Sequence, residues 1–81
     1  MTIEQLRKSY SKEPFEPFDI YLADGRVISV PHREFIYVPP KTDRTFAVAD
    51  NHGVIETFDL LMVVSLKPMN GKSGGGRRKA G

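Results

Sequence analysis

Two histidines, ten acidic side chains and no cysteine bound the chemistry that this 81-residue chain can carry. His32 or His52 could act as a general base or a metal ligand only by converging with carboxylates such as Glu34 or Asp50, because an imidazole needs an orienting partner and a metal needs several ligands. Neither histidine sits at a metal-ligand spacing, and both fall in segments that read as turns. Asp24, Asp50 and Asp59 could form a carboxylate group for acid–base work, in which unlike environments divide two carboxyls into acid and base. Each also has a local role: Asp24 and Asp50 suit turns, and Asp59 is placed to cap a turn that begins at Leu60. The lack of cysteine removes thiol nucleophiles, disulfides and Cys-ligated zinc. Gly74-Gly75-Gly76 stands outside any strand-to-helix setting and so is no phosphate-binding loop. The expectation is a chain with no catalytic residue, no metal and no cofactor.

The residues that could instead recognise a macromolecule fall into two sets. Arg26, Arg33 and Arg44, with Lys72, Arg77, Arg78 and Lys79 near the end of the chain, could contact phosphates, and Tyr21 and Tyr37 could stack on bases. Asp19, Glu34, Glu56 and Asp59 dilute those cations, and Phe35, Phe46 and Phe58 read as core. The second set is a protein-contact segment made of Leu6, Tyr10, Phe15 and Phe18. Within it, Pro14-Phe15-Glu16-Pro17-Phe18 has prolines that hold an extended chain; alternatively its two phenylalanines plug the end of the β core.

These residues need elements to position them. Thr2 and Gln5 have the capping-box spacing, and Ile3, Leu6 and Tyr10 recur at three and four residues, which predicts a helix over 3–11 that Pro14 and Pro17 stop. A helix this short is marginal alone, so its apolar stripe must dock on the β core or on another chain. From Phe18 the period falls to two, with Phe18, Ile20 and Leu22 on one face. Asp24-Gly25 predicts a two-residue hairpin turn, and Arg26 to Val30 the returning strand. Further strands are predicted at Phe35–Val38, Thr45–Ala49, Val54–Phe58 and Val63–Leu66. They are separated by a corner at His32-Arg33-Glu34, by Pro39-Pro40, by a turn at Asp50-Asn51-His52-Gly53, and by a brief 3₁₀ step at Leu60-Leu61-Met62.

The fold class that follows is mainly β, or α+β by count: a short N-terminal helix, then a strongly bent antiparallel sheet of five or six strands or a small closed barrel. Residues 1–68 form the single domain, and 69–81 are expected to be a flexible Gly-rich basic tail. The net charge of +2 conceals a division. Residues 1–66 hold seven basic and ten acidic side chains, whereas 67–81 hold five basic and none acidic. No apolar run approaches the roughly 20 residues that cross a bilayer, and the start lacks a secretion pattern, so a cytoplasmic protein is expected.

Pro14-Phe15-Glu16-Pro17-Phe18, Leu22-Ala23-Asp24-Gly25-Arg26, His32-Arg33-Glu34-Phe35-Ile36 and Asp59-Leu60-Leu61 with Val63 are together similar to a group of short uncharacterised bacterial proteins, a likeness that implies no activity. In architecture, the front helix, the strand ending Ile20-Tyr21-Leu22-Ala23-Asp24-Gly25 and the late apolar strand resemble Sm-like proteins, including the bacterial Sm-like RNA chaperone. That resemblance implies a small barrel, ring assembly and RNA binding. The chain departs from it at Glu56-Thr57-Phe58-Asp59, where the chaperone carries a Lys-His pair beside its RNA site, and two acids there repel phosphate. The function expected first is therefore a non-enzymatic macromolecular interaction module that binds a protein partner or itself. Small-barrel RNA binding is the alternative, with weak nucleic-acid affinity through the tail.

Overall fold

The computed structural model describes residues 1–41 and 44–69. Its helix, α1 (Ile3–Tyr10), begins where the capping box predicts: Thr2 Oγ1 accepts the Gln5 N–H, and Gln5 Oε1 accepts the Thr2 N–H at 2.8 Å. One face of α1 is closed off from water. Leu6 is 0 % exposed and Ile3 is buried beside it, so the helix docks on its own domain. Arg7, one turn on from Ile3, ties the helix down further by donating to the carbonyls of Pro39 and Pro40.

Six strands follow: β1 (Phe18–Leu22), β2 (Val27–Val30), β3 (Ile36–Tyr37), β4 (Thr45–Ala49), β5 (Ile55–Asp59) and β6 (Val63–Pro68). They form two antiparallel three-stranded sheets, ordered β2-β1-β6 and β3-β4-β5. The mainly β class is therefore as expected, but the single bent sheet and the closed barrel are not found. Two local features explain why the ladder does not run on from β2 to β3. Pro31 ends β2 without an N–H to donate, and a 3₁₀ turn at Arg33–Phe35 redirects the chain, leaving β3 only two residues long before Pro39. At the other junction, a second 3₁₀ turn at Leu60–Met62, capped by the Asp59 carboxylate, carries the chain from β5 in one sheet to β6 in the other.

The first hairpin also differs from expectation in its loop. Gly25 N–H donates to Leu22 O and Leu22 N–H to Arg26 O, so three residues connect the strands, and only Gly25 has positive φ, at 94°. A tight turn followed by one left-handed residue suits the right-handed twist of the strands. Asp24 completes the loop by accepting the Arg26 N–H at 3.0 Å. The turn at 50–53 uses the same chemistry: Gly53 has φ 81°, and Asp50 Oδ1 accepts from His52 and Val54.

Between the sheets lies one core. Phe18, Ile20 and Leu22 of β1, Val30 of β2 and Val63 of β6 face Ile36, Phe46, Val48 and Phe58 of the second sheet, with Ile3 and Leu6 at the end. Phe46 and Phe58 are directly opposed across β4 and β5, with ring centroids 5.3 Å apart. Removing the Leu6 side chain leaves a cavity where helix and sheets meet, so Leu6→Ala is expected to cost about 2–5 kcal/mol in urea unfolding, a large share of the stability of so small a domain. Gly25→Ala meets no atom within 4 Å of its new Cβ. It is therefore expected to cost only the backbone strain, about 1–2 kcal/mol.

Candidate interaction surface

The arginines that could have held phosphate are engaged with this chain's own acceptors. Arg26 donates from Nε to Asp24 Oδ2 and from Nη1 to Glu56 Oε2, both at 3.1 Å, while its guanidinium stands 5.7 Å from the centre of the Phe58 ring. Arg44 pairs with Asp59 at 2.6 Å. Arg33 donates to the carbonyls of Tyr10 and Lys12, pairs with Glu13 and covers the Phe15 ring, which clasps the exit of α1 to the 3₁₀ turn. Of the two tyrosines, Tyr21 lies beneath the Lys67 ammonium at 5.0 Å, and Tyr37 projects from β3, 61 % exposed. Lys72, Arg77, Arg78 and Lys79 lie outside the described residues.

The residues with catalytic potential are dispersed. His32 packs its ring 5.9 Å from that of Phe35, and His52 sits in the 50–53 turn. Asp24, Asp50 and Asp59 each serve a different turn, and among the described residues no group of three or more His, Asp or Glu side chains is placed to hold a metal ion. The N-terminal contact segment is largely consumed by the domain itself. Leu6 and Phe18 are core, and Tyr10 and Phe15 pack against that core half-buried, with the Phe15 and Phe18 rings 6.1 Å apart as a plug.

The surface that remains is made of strand edges. Each sheet has two outer strands, so among the described residues β2, β6, β3 and β5 each have one edge without a strand partner. Apolar side chains cluster on or beside them: Leu61 is 77 % exposed, Ile55 70 %, Val64 65 % and Val54 60 %. Successive strand residues face opposite sides, so the adjacent pairs Val54-Ile55 and Val63-Val64 force at least one apolar group outward. That signal was present in the sequence, where those residues read only as strand formers.

Where the two sheets fail to join, a groove of about 490 Å³ opens. One wall is β2 from Val27 onward, continuing to Pro31; the other is built from Val48 of β4 and the alternate residues Val54, Glu56 and Phe58, with Phe35 and Met69 also lining it. The Arg26–Glu56 ion pair bridges the two walls. Sequence reasoning did not find this groove, because it arises from a missing β2–β3 ladder rather than from any motif. Comparison of the chain with protein-family models, with curated proteins and with solved structures finds no match.

Three carboxyls at the turns are held below the usual carboxylate range. The cause for Asp59 is first the Arg44 guanidinium and then the Leu61 N–H; for Asp24 it is the Arg26 N–H and side chain; for Asp50 it is the N–H groups of Val54 and His52. A carboxyl whose folded pKa lies below its unfolded one stabilises the fold above the unfolded value and loses that contribution as pH falls through the folded one. The urea midpoint is thus expected to stay level from about pH 7 to pH 5 and to fall below about pH 4, where ordinary Asp side chains already protonate. Asp59→Asn should shrink that fall, and a midpoint that does not move on acidification would show that the turn bonds contribute nothing to stability.

Proposed function

We propose that this chain is a non-enzymatic interaction module whose partner is a polypeptide. The observation that carries the reading is the exposure of apolar side chains on the outer strands, at Ile55 and Val64 above all, with Leu61 in the adjoining 3₁₀ turn. Uncovered edges are templates for a further strand, and soluble proteins ordinarily blunt them. Among the described residues four of the six strands are outer strands, and β2 carries neither charge nor proline to blunt its edge. The dispersal of the histidines and of the turn aspartates supports a binding role over an enzymatic one.

Binding of nucleic acid by the folded domain is disfavoured by the carboxylates against Arg26 and Arg44 and by the acid excess over residues 1–66. Fluorescence anisotropy with labelled single-stranded RNA tests the choice, using the full chain and a variant with Lys72, Arg77, Arg78 and Lys79 replaced by serine. Any affinity of the full chain at low salt should disappear in the variant, and should be weak for the full chain at about 0.15 M salt, as expected of a few unspecific charge contacts. Binding by the variant that persists at that salt would overturn the polypeptide reading in favour of RNA recognition by the folded domain.

A further inference from the structure

We propose that the groove beside β2 takes an extended segment of another polypeptide, which joins the first sheet as a fourth strand and brings alternate apolar side chains and a cation. This names the partner class for the interaction module and rests on that reading. The hydrogen-bond parity of the hairpin supports it. Because Leu22 N–H donates to Arg26 O, the narrow pairs of the β1–β2 ladder are Leu22 with Arg26, Ile20 with Ile28, and Phe18 with Val30. The backbone groups of Val27 and Ser29 therefore point away from β1, along the groove. No backbone hydrogen bond uses them among the described residues.

The four outer strands are not equally guarded. β5 carries Glu56 and Asp59, β6 carries Lys67 and Pro68, and β3 is two residues long. β2 reads Val27-Ile28-Ser29-Val30, with neither charge nor proline inside it to discourage pairing. Facing that edge, Val48, Val54 and Phe58 supply an apolar wall for every second side chain of an incoming strand. At the rim, Asp50 spends only Oδ1 on its turn, and its second oxygen takes neither of those bonds. Its carboxyl, held below the ordinary range by those N–H groups, is charged at neutral pH and suits a lysine or arginine on the occupant. Residues 70–81 are a poor occupant, since beyond glycine their only apolar residue is Ala80.

The test uses the full-length chain, isotopically labelled for amide NMR, and a seven-residue peptide with valine at odd positions, threonine between and an arginine appended at each end. Titration is expected to shift the amides of Val27, Ser29 and Val54 in a saturable manner below about 1 mM, the weak end of specific recognition. N-methylation of alternate peptide residues should abolish binding in one parity and spare it in the other, as only one edge of an added strand meets β2. Val54→Glu, at a position already open to solvent, should weaken binding about tenfold or more by placing a charge in the apolar wall. No saturable shift, or equal tolerance of both N-methylation parities, would overturn the proposal. Saturable binding that shifts β5 or β6 instead would overturn the groove assignment and leave the interaction-module reading intact. The same β2 shifts appearing on concentrating the chain without peptide would overturn the occupant and assign the edge to a second copy.

Discussion

The two sheets share no backbone ladder, so apart from backbone bonds that tie the Leu60–Met62 turn to Arg44 and to Ala23, what holds one against the other passes through side chains. That constraint places great weight on a few groups. Phe46 and Phe58 fill the second sheet's inner face with stacked rings, Ile20 and Val30 meet them from the first, and Leu6 seals the open end from α1. Hydrogen bonds within each sheet fix its strands but cannot set the angle between sheets. The apolar core is non-directional, and the Arg26–Glu56 pair, exposed to screening, adds little to it. The chain crossings at the two 3₁₀ turns therefore act as spacers whose lengths decide how far apart the sheet edges stand.

The groove follows from where β2 ends. Ending β2 at Pro31 and turning the chain at Arg33–Phe35 leaves the outer edge of β2 without a strand neighbour among the described residues. Closing the ladder would have satisfied that edge and filled the gap. Leaving it open exposes backbone groups that water must satisfy, and it surrounds them with valine and phenylalanine, which water solvates poorly.

Much of the local structure was legible because it follows from rules that act over a few residues. Thr2 and Gln5 specify the start of α1, Asp50 and Gly53 a turn, and Asp59 the cap of a 3₁₀ step, since each side chain reaches only its own neighbourhood. Thr45–Ala49 alternates buried and half-buried residues as its sequence suggests. The sheet arrangement was not legible, because nothing in Phe35–Val38 tells a two-residue strand from a four-residue one; that depends on whether Pro31 and the 3₁₀ turn let β3 reach β2. For the same reason the arginines could be named as candidates but not paired, as the partner of Arg26 lies thirty residues away at Glu56. The loop of the first hairpin was misjudged by one residue because Asp24-Gly25 suits two turn geometries equally well.

The central strand of the first sheet has a consequence for biosynthesis. β1 is flanked on one side by β2, its immediate successor, and on the other by β6, at the far end of the described domain. During synthesis the hairpin can form early, but its second flank stays bare until Val63–Pro68 has been made, and the Met69 N–H closes onto Pro17 only after that. A nascent chain therefore carries a partly covered first sheet until β6 has emerged, and its cooperative unit is complete only then. Such long sequence separation slows folding relative to local topologies. It also makes premature termination before β6 more damaging than loss of the residues that follow it.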